Sequence, residues 1–331
     1  MAERLTTAEA APEPIRGRRE LPFLIAFLRR LVRESPLAAF GLSIIVIIVI
    51  LAFFADFIAP FHYQEDHILD RLIAPGSDAS EGRNFLGTQY WFGTDDLGRD
   101  LFSRIIYGAR ISIFVPLGAI IFGTGFATLF GVMSAYIGGK FDTLFQRWVD
   151  AWLSIPWLLL MMTVIIVLPA TSPFDWMSPQ IWGMIRVAIA LGIGDMAWAS
   201  RVIRGSTLSV KENQYVEAAR AIGAPSWRIV IRHILPNIMA PLIILATLGL
   251  GFAILSEAAL SFLGLGVPPP LLSWGGLMQG QATQHLVTSW WQGVFPGVAI
   301  TLAVFSINML GDGLRDLLDP RLRGGRGGFG R

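Results

Sequence analysis

An all-α membrane protein of six transmembrane helices is the fold class this sequence predicts, and three observations predict it. Of 331 residues, 53% are hydrophobic and 15% charged, against about 25% charged in a soluble domain. The apolar residues come in blocks about as long as the roughly 20 helical residues that cross a bilayer. Lysines and arginines crowd into alternate connections between those blocks, the bias that sets membrane orientation. There is no cysteine, so disulfides, thiolate metal ligands and thiol nucleophiles are excluded.

Residues 1–36 form a basic leader with seven arginines, Arg4, Arg16, Arg18, Arg19, Arg29, Arg30 and Arg33. It is longer than the start of a cleavable signal peptide and the apolar run after it spans a bilayer, so an uncleaved anchor is expected. The first span is expected over 37–59, followed by a polar loop over 60–110. A core domain over 111–313 holds the rest. Its second span, 111–137, carries Gly123, Gly125 and Gly131, small residues that let helices approach closely. The third, 149–168, contains Pro156, whose freed carbonyl neighbouring helices can satisfy. The fourth, fifth and sixth are expected over 181–199, 241–263 and 294–310, with a long charged connection over 201–236 and a tail over 314–331.

Six spans put both termini on one side. That side, counting the leader, residues 138–148, the 201–236 connection and the tail, carries twenty lysines and arginines. The other carries five, Arg71, Arg83, Arg99, Arg104 and Arg110, all in one loop. The excess predicts cytoplasmic termini and an extracytoplasmic 60–110 loop. The tail GGRGGFGR reads as a flexible cationic segment beside anionic lipid, with no nucleic-acid role assigned.

Catalytic chemistry is missing. A P-loop needs a glycine six residues before its lysine and Ser or Thr after it, whereas Lys140 has Ser134 and Phe141 there. His62 and His67 flank Glu65 and Asp66, a set that could hold a metal, but an exposed polar loop is the simpler reading and no metal is expected. In Phe92 to Ser112, Asp95 and Asp96 lie where a helix starting near Leu97 would welcome negative charge, and Asp100 with Arg104 has ion-pair spacing. Arg99 and Asp100 are expected to stabilise that helix, and contact with a docking protein stays open beside this. Glu257 lies inside the fifth span, where a carboxylate either lines a path or bonds to a neighbouring helix. Arg186 and Asp195, nine residues and about 13 Å of rise apart, cannot pair within one helix.

The segment NQYVEAARAIGAPSWRIVIRHILPN, Asn213 to Asn237, reads as helix, tight turn, helix. Gly223 supplies the left-handed residue that ends the first helix and Pro225 opens the second, which Pro236 is expected to close. Ala218 and Ala219 are small enough for a partner surface to come close, with Glu217, Arg220 and Arg228 around them. Composition alone favours a solvated amphipathic connector.

The order Glu217-Ala218-Ala219, three residues, Gly223, then Leu235-Pro236 resembles the EAA loop of the membrane subunits of ATP-binding-cassette importers. The general pattern has an apolar residue where His233 stands; RHILPN is similar to the peptide-importer branch. FGTDDLGRDLFSRIIYGARIS (Phe92 to Ser112) and SEAALSFLGLG (Ser256 to Gly266) resemble the C-type permeases of dipeptide, oligopeptide and nickel importers. The resemblance implies the type I importer permease fold and a non-catalytic transport subunit in the inner or plasma membrane. It further implies a coupling helix around Glu217, a related B-type permease completing the channel, two cytoplasmic ATPase subunits that hold the ATP and magnesium, and an extracytoplasmic solute-binding protein. No cofactor is expected on this chain. Short peptides are the implied solute, with nickel or small sugars as the alternative. A rival class, an ion-coupled transporter using Glu257 and Asp195 as proton carriers, leaves the EAA loop unexplained. The orientation predicts cytoplasmic signals from reporters placed at Ala224 and after Arg331 and an outside signal from one at Ser80. A cytoplasmic signal from Ser80 would sink the six-span reading.

Overall fold

The computed structural model describes residues 23–79, 89–280 and 287–318. Most of the leader, Ser80, Arg83 and the glycine-rich tail lie outside the described residues. Among the described residues, five helices are long and apolar enough to cross a membrane, and a sharply bent pair makes a sixth span if its halves are counted together.

Helix α1 (Phe23–Glu34) precedes α2 (Pro36–Phe53), which opens with proline in its first turn, where the missing N–H would have been unpaired anyway. The first span stops at Phe53 rather than 59; a short α3 (Ala55–Ile58) follows. The 60–110 loop contains an antiparallel ribbon of β1 (Ser77–Asp78) and β2 (Gln89–Tyr90), with Ser77 opposite Tyr90. Helix α4 (Leu101–Ile137) is one unbroken run of 37 residues, about 55 Å long. It starts ten residues before the expected second span, so the boundary expected at 110/111 falls inside a helix. It also starts four residues after Leu97, because residues 95–98 turn back on themselves, with Gly98 at φ +79° donating its N–H to Asp95 O at 3.1 Å.

Helices α5 (Gly139–Leu153) and α6 (Trp157–Val167) replace the expected continuous third span and meet at 94°. Pro156 explains the correction: it lacks an N–H and disfavours helical geometry at the residue before it, so it sits at the start of α6, its carbonyl accepting from Leu160 N. Trp152 O, the carbonyl that Pro156 leaves free, accepts from Ile155 N at 3.3 Å, within the break itself. Eleven residues in α6 reach about 16 Å, half a bilayer.

Helix α7 (Pro179–Lys211) begins where Ser178 Oγ accepts from Ile181 N and runs twelve residues beyond the expected end at 199. Short helices α8 (Gln214–Ala221) and α9 (Ser226–Ile229) follow. A π-helical turn over Val230–Ile234 then leads without interruption into α10 (Leu235–Phe262). Pro236 therefore does not close a helix. At N1/N2 of α10 it sits just after the wide turn in which Leu235 N reaches back to Val230 O, and Asn237 Nδ2 donates to His233 O at 2.6 Å beside it. The short α11 (Trp274–Leu277) and the long α12 (Trp291–Leu318) complete the chain.

The bundle is built around α4 and α7. A Cβ on Gly123 would lie 2.6 Å from Gly192 O, one on Gly192 2.8 Å from Ala119 O, and one on Gly131 2.7 Å from Ser200 O. These glycines set the distance between the two backbones. Gly125, expected to share that role, is exposed and a Cβ there would meet nothing. The α2–α12 pair is as close: a Cβ on Gly41 would lie 2.5 Å from Ser306 O. Large apolar side chains such as Val46, Ile47 and Ile50 on α2 and Leu302 and Phe305 on α12 face outward, as lipid-facing positions do.

Gly123→Leu is expected to force α4 and α7 apart, costing about 1–3 kcal/mol and lowering the Tm of the purified protein, whereas Gly125→Leu leaves it unchanged. Equal effects would mean that backbone approach does not set this packing.

Candidate functional site

Two constellations occupy opposite ends of α4 and α7. At the α8 end, the Asn213–Asn237 segment makes the expected helix, turn and helix. Gly223 has φ +80° and its N–H reaches Arg220 O at 3.0 Å, while Ala224 N reaches Ala219 O at 3.1 Å. These two bonds satisfy the last carbonyls of α8 in the Schellman arrangement. Val216, Ala219, Ile229 and Ile234 point inward, packed with Ala127, Val132, Ala199 and Ile203. The expectation for Ala219 is corrected here: it is buried under its own chain, and Ala218 is the exposed alanine. Glu217 and Arg220 are exposed as well, Leu235 is partly buried against the same core, and Pro236 is exposed.

Two exposed side chains escaped the sequence reading. Ile222 is 85% and Trp227 61% exposed, on either side of the turn. Their signal was an isoleucine and a tryptophan flanking Gly-Ala-Pro in a charged segment, at positions with no lipid-length run around them.

The helix ends beneath this turn are fastened to one another. Lys211 Nζ donates to Ala135 O and Tyr136 O, each at 2.9 Å, placing a cation on the negative C-terminal end of α4. Arg204 grips Asp142 with both nitrogens, Nε to Oδ1 at 2.6 Å and Nη2 to Oδ2 at 2.5 Å, a bidentate geometry stronger than a single contact. Arg201 pairs with Asp150, and the Arg220 guanidinium lies 6.0 Å from the Tyr136 ring.

At the other end, Asp95 is the hub. Its Oδ1 accepts from Leu97 N and Arg99 N, both at 2.9 Å, and its Oδ2 from Arg99 Nε at 2.7 Å. Arg104 Nη1 lies 3.2 Å from the same Oδ2. Asp100 does not pair with Arg104 as expected. It caps α4, accepting from Ser103 N at 2.8 Å and Ser103 Oγ at 2.6 Å, because a residue just before a helix meets the free N–H groups of the first turn. Burial pushes the Asp100 carboxyl above its ordinary range despite those bonds. Trp291 Nε1 donates to Thr94 O at 3.0 Å and the Phe92 and Phe295 rings stack at 4.1 Å, fixing this loop on α12.

Glu257 is fully buried. Ser261 Oγ donates to Oε1 at 2.6 Å, Ser112 Oγ lies 3.4 Å from Oε2, and the same Ser112 Oγ accepts from Trp274 N at 2.9 Å. The carboxylate thus ties α10, α4 and α11 together. His62 packs on Tyr63 and Tyr107 and His67 against Phe61, and no group of three metal-ligating side chains is found among the described residues. A cavity of about 800 Å³ opens beside the Asp95 hub, lined by Arg99, Arg104, Arg186 and the segment that follows α10.

The bundle of lipid-length helices with its packed turn is that of a membrane protein. The chain belongs to the binding-protein-dependent transport system inner membrane components, whose family model matches residues 127–324. The N-terminal TM domain of oligopeptide transport permease C matches residues 23–75. The dipeptide transport system permease protein DppC of Alkalihalophilus pseudofirmus is 38% identical over 88% of both chains. The oligopeptide transport system permease protein OppC of Bacillus subtilis is 37% identical over 88% of both. The glutathione transport system permease protein GsiD of Pectobacterium atrosepticum is 35% identical over 90% of this chain and 91% of its own. The chain is therefore a transport subunit and not an enzyme.

Asp95→Ala should strand the Arg104 guanidinium without its carboxylate and cost about 3–5 kcal/mol, read as a lowered Tm of the purified protein. Adding Arg104→Met to that variant should recover part of the loss. Strictly additive effects would show that the two side chains do not act as a pair.

Proposed function

We propose that this chain is the C-type permease half of an ATP-driven importer of short peptides, and that the turn around Gly223 is where a separate ATPase subunit grips it. The observation that carries the proposal is the division of the turn into an inward half, Val216, Ala219, Ile229 and Ile234, and an outward half, Glu217, Ala218, Ile222 and Trp227. Exposed apolar side chains rimmed by charge mark a protein-binding surface. The peptide solute is supported by the relatives named for dipeptides, oligopeptides and glutathione.

In this reading a B-type permease completes the channel and two ATPase subunits hold the ATP and magnesium. The leader over 1–36, the turn within 201–236 and the tail over 314–331 face the cytoplasm, in the lysine- and arginine-rich half of the charge count. The 60–110 loop faces outward, where a solute-binding protein docks. Closure of the ATPase dimer on ATP moves the turn. Because Lys211 and Arg204 tie the ends of α4, α5 and α7 to one another beside it, the displacement passes into the spanning helices as a rigid-body motion. Glu257, held by Ser261 and lying beside Ser112, serves as an interhelical tie in this mechanism, and no proton step is needed. Uptake that survives an ionophore and stops on ATP depletion separates it from ion coupling. A thermal-shift screen of the cognate binding protein against peptides, sugars and nickel chelates identifies the solute, since stabilisation rises with ligand concentration over Kd.

The turn is tested with Gly223→Val, which strains a left-handed backbone by about 1–2 kcal/mol, and with Ala218→Trp, which adds bulk on the outward face. Both should leave the membrane subunits assembled while ATPase attachment, or hydrolysis stimulated by loaded binding protein, falls about tenfold or more, the equivalent of about 1.4 kcal/mol. Ala219→Trp should instead destabilise the subunit itself. Normal stoichiometry and normal stimulated hydrolysis in the first two variants would reduce the turn to a connector.

A further inference from the structure

Three arginines line the cavity beside the Asp95 hub, and they are not equivalent. Arg99 is bonded to Asp95 and lies 3.8 Å from Asp66. Arg104 also faces Asp95, and Asp96 shares a smaller neighbouring cavity with Asp95, Arg99 and Arg104. The carboxylates of this end are thus gathered on the Arg99 and Arg104 side. Arg186, on α7, has no carboxylate within ion-pair distance among the described residues, and its buried Nε has no hydrogen-bond acceptor. Arg104 Nε has no acceptor either, while its Nη1 stays paired with Asp95 Oδ2.

A guanidinium never deprotonates in a protein and presents five donors in a planar fork that matches a carboxylate. Placing one on a helix that crosses the membrane is costly, and an unbonded buried donor adds to the cost. The cavity is roomy enough for a small molecule at about 800 Å³, and Asp66 on the Arg99 side, Ser261, Gln279, Gly264 and residues 266–273 line it beside the arginines. An arginine with no counter-ion and an unpaired buried Nε, lining a polar cavity, is a site whose acceptor arrives with the ligand.

We propose that Arg186, with Arg104 in the same cavity, forms a carboxylate-binding subsite that takes the C-terminal carboxylate of a short peptide. It determines specificity at this end of the bundle. The inference rests on the peptide reading given above. It adds that the permease itself distinguishes a free peptide acid from its amide, independently of the binding protein.

The test uses the purified complex without its binding protein, with dialanine and dialaninamide as probes and thermal stabilisation as the readout. The wild-type complex should be stabilised by dialanine at concentrations where dialaninamide has no effect. Arg186→Gln should weaken dialanine about tenfold or more, as expected for lost charge-assisted hydrogen bonds, and bring it level with the amide. Arg186→Lys, which keeps the charge and loses the fork, should fall between them. Without ligand, Arg186→Gln should be at least as stable as wild type and keep its partner subunits, because the arginine it replaces has no counter-ion. Equal stabilisation by acid and amide, or wild-type response in Arg186→Gln, overturns the subsite. So does loss of a partner subunit from Arg186→Gln, which would mean that a partner's carboxylate fills the fork. Uptake of dialanine into proteoliposomes with the binding protein decides the peptide reading separately. Uptake without any stabilisation of the wild-type complex removes the subsite alone, and absence of uptake removes both.

Discussion

The close approach of the α4 and α7 backbones is the constraint on which the rest depends. Gly123 and Gly192 leave no room for a Cβ on either helix, and Gly131 repeats the contact against Ser200. In a lipid environment there is little hydrophobic gain in bringing helices together, so van der Waals contact over a smooth surface has to supply the attraction. With the two helices locked in register, the end of α4 meets Lys211 and, through Asp142 just beyond it, Arg204 of α7. At the opposite end the same register brings Arg104 and Arg186 to one cavity. A helix of 37 residues beside one of 33 therefore makes a stiff pair that reaches from the turn around Gly223 to the cavity beside the Asp95 hub.

The segment after α10 is built rather than loose. Trp274 donates its backbone N–H to Ser112 Oγ and its indole N–H to Ile105 O, each at 2.9 Å. A Cβ on Gly275 would lie 2.3 Å from Ala258 O. Ser112, one hydroxyl on α4, accepts from the Trp274 backbone and lies beside the Glu257 carboxylate. Buried polar groups joined in this way specify one arrangement of the elements they connect, and here they seat α11 on both α4 and α10.

Much of this architecture is legible in the sequence because it rests on local chemistry. Apolar length gives the spans, Gly223 marks the left-handed residue, and the acidic residues before Leu101 mark a helix start. What the sequence hid was non-local. Nothing in the spacing of Asp100 and Arg104 reveals that Asp95 is the carboxylate on Arg104; that follows from the turn at Gly98, which folds the chain back. Ala218 and Ala219 are identical in composition, and only the packing of α8 decides that the second is buried. Pro156 and Pro236 both interrupt apolar runs, yet one breaks a span at 94° and the other rides in a continuous helix. The difference lies in what precedes each: before Pro156 the chain leaves helical geometry, and before Pro236 it widens by one residue per turn. Gly125 looks like Gly123 in sequence and faces the other way.

That widened turn over Val230–Ile234 has a further meaning for how the segment can change. In an α-helix, residues five apart point about 140° away from each other; in the wide turn Ile229 and Ile234 are both buried, and Ile238 continues the same side. One extra residue is accommodated in the helix, so that α9 and α10 present a common face although their α-helical phases differ. The wide turn thus absorbs the extra residue without turning the segment. A one-residue deletion there would restore ordinary helical winding and leave Ile229 and Ile234 four positions apart, about 40° from each other, so Trp227 would stay on the outer surface. Winding the same residues as an unbroken α-helix would instead rotate everything before the turn by about 100°, swinging Trp227 toward the bundle. The wide turn is what lets this stretch carry one residue more than its helical phase allows.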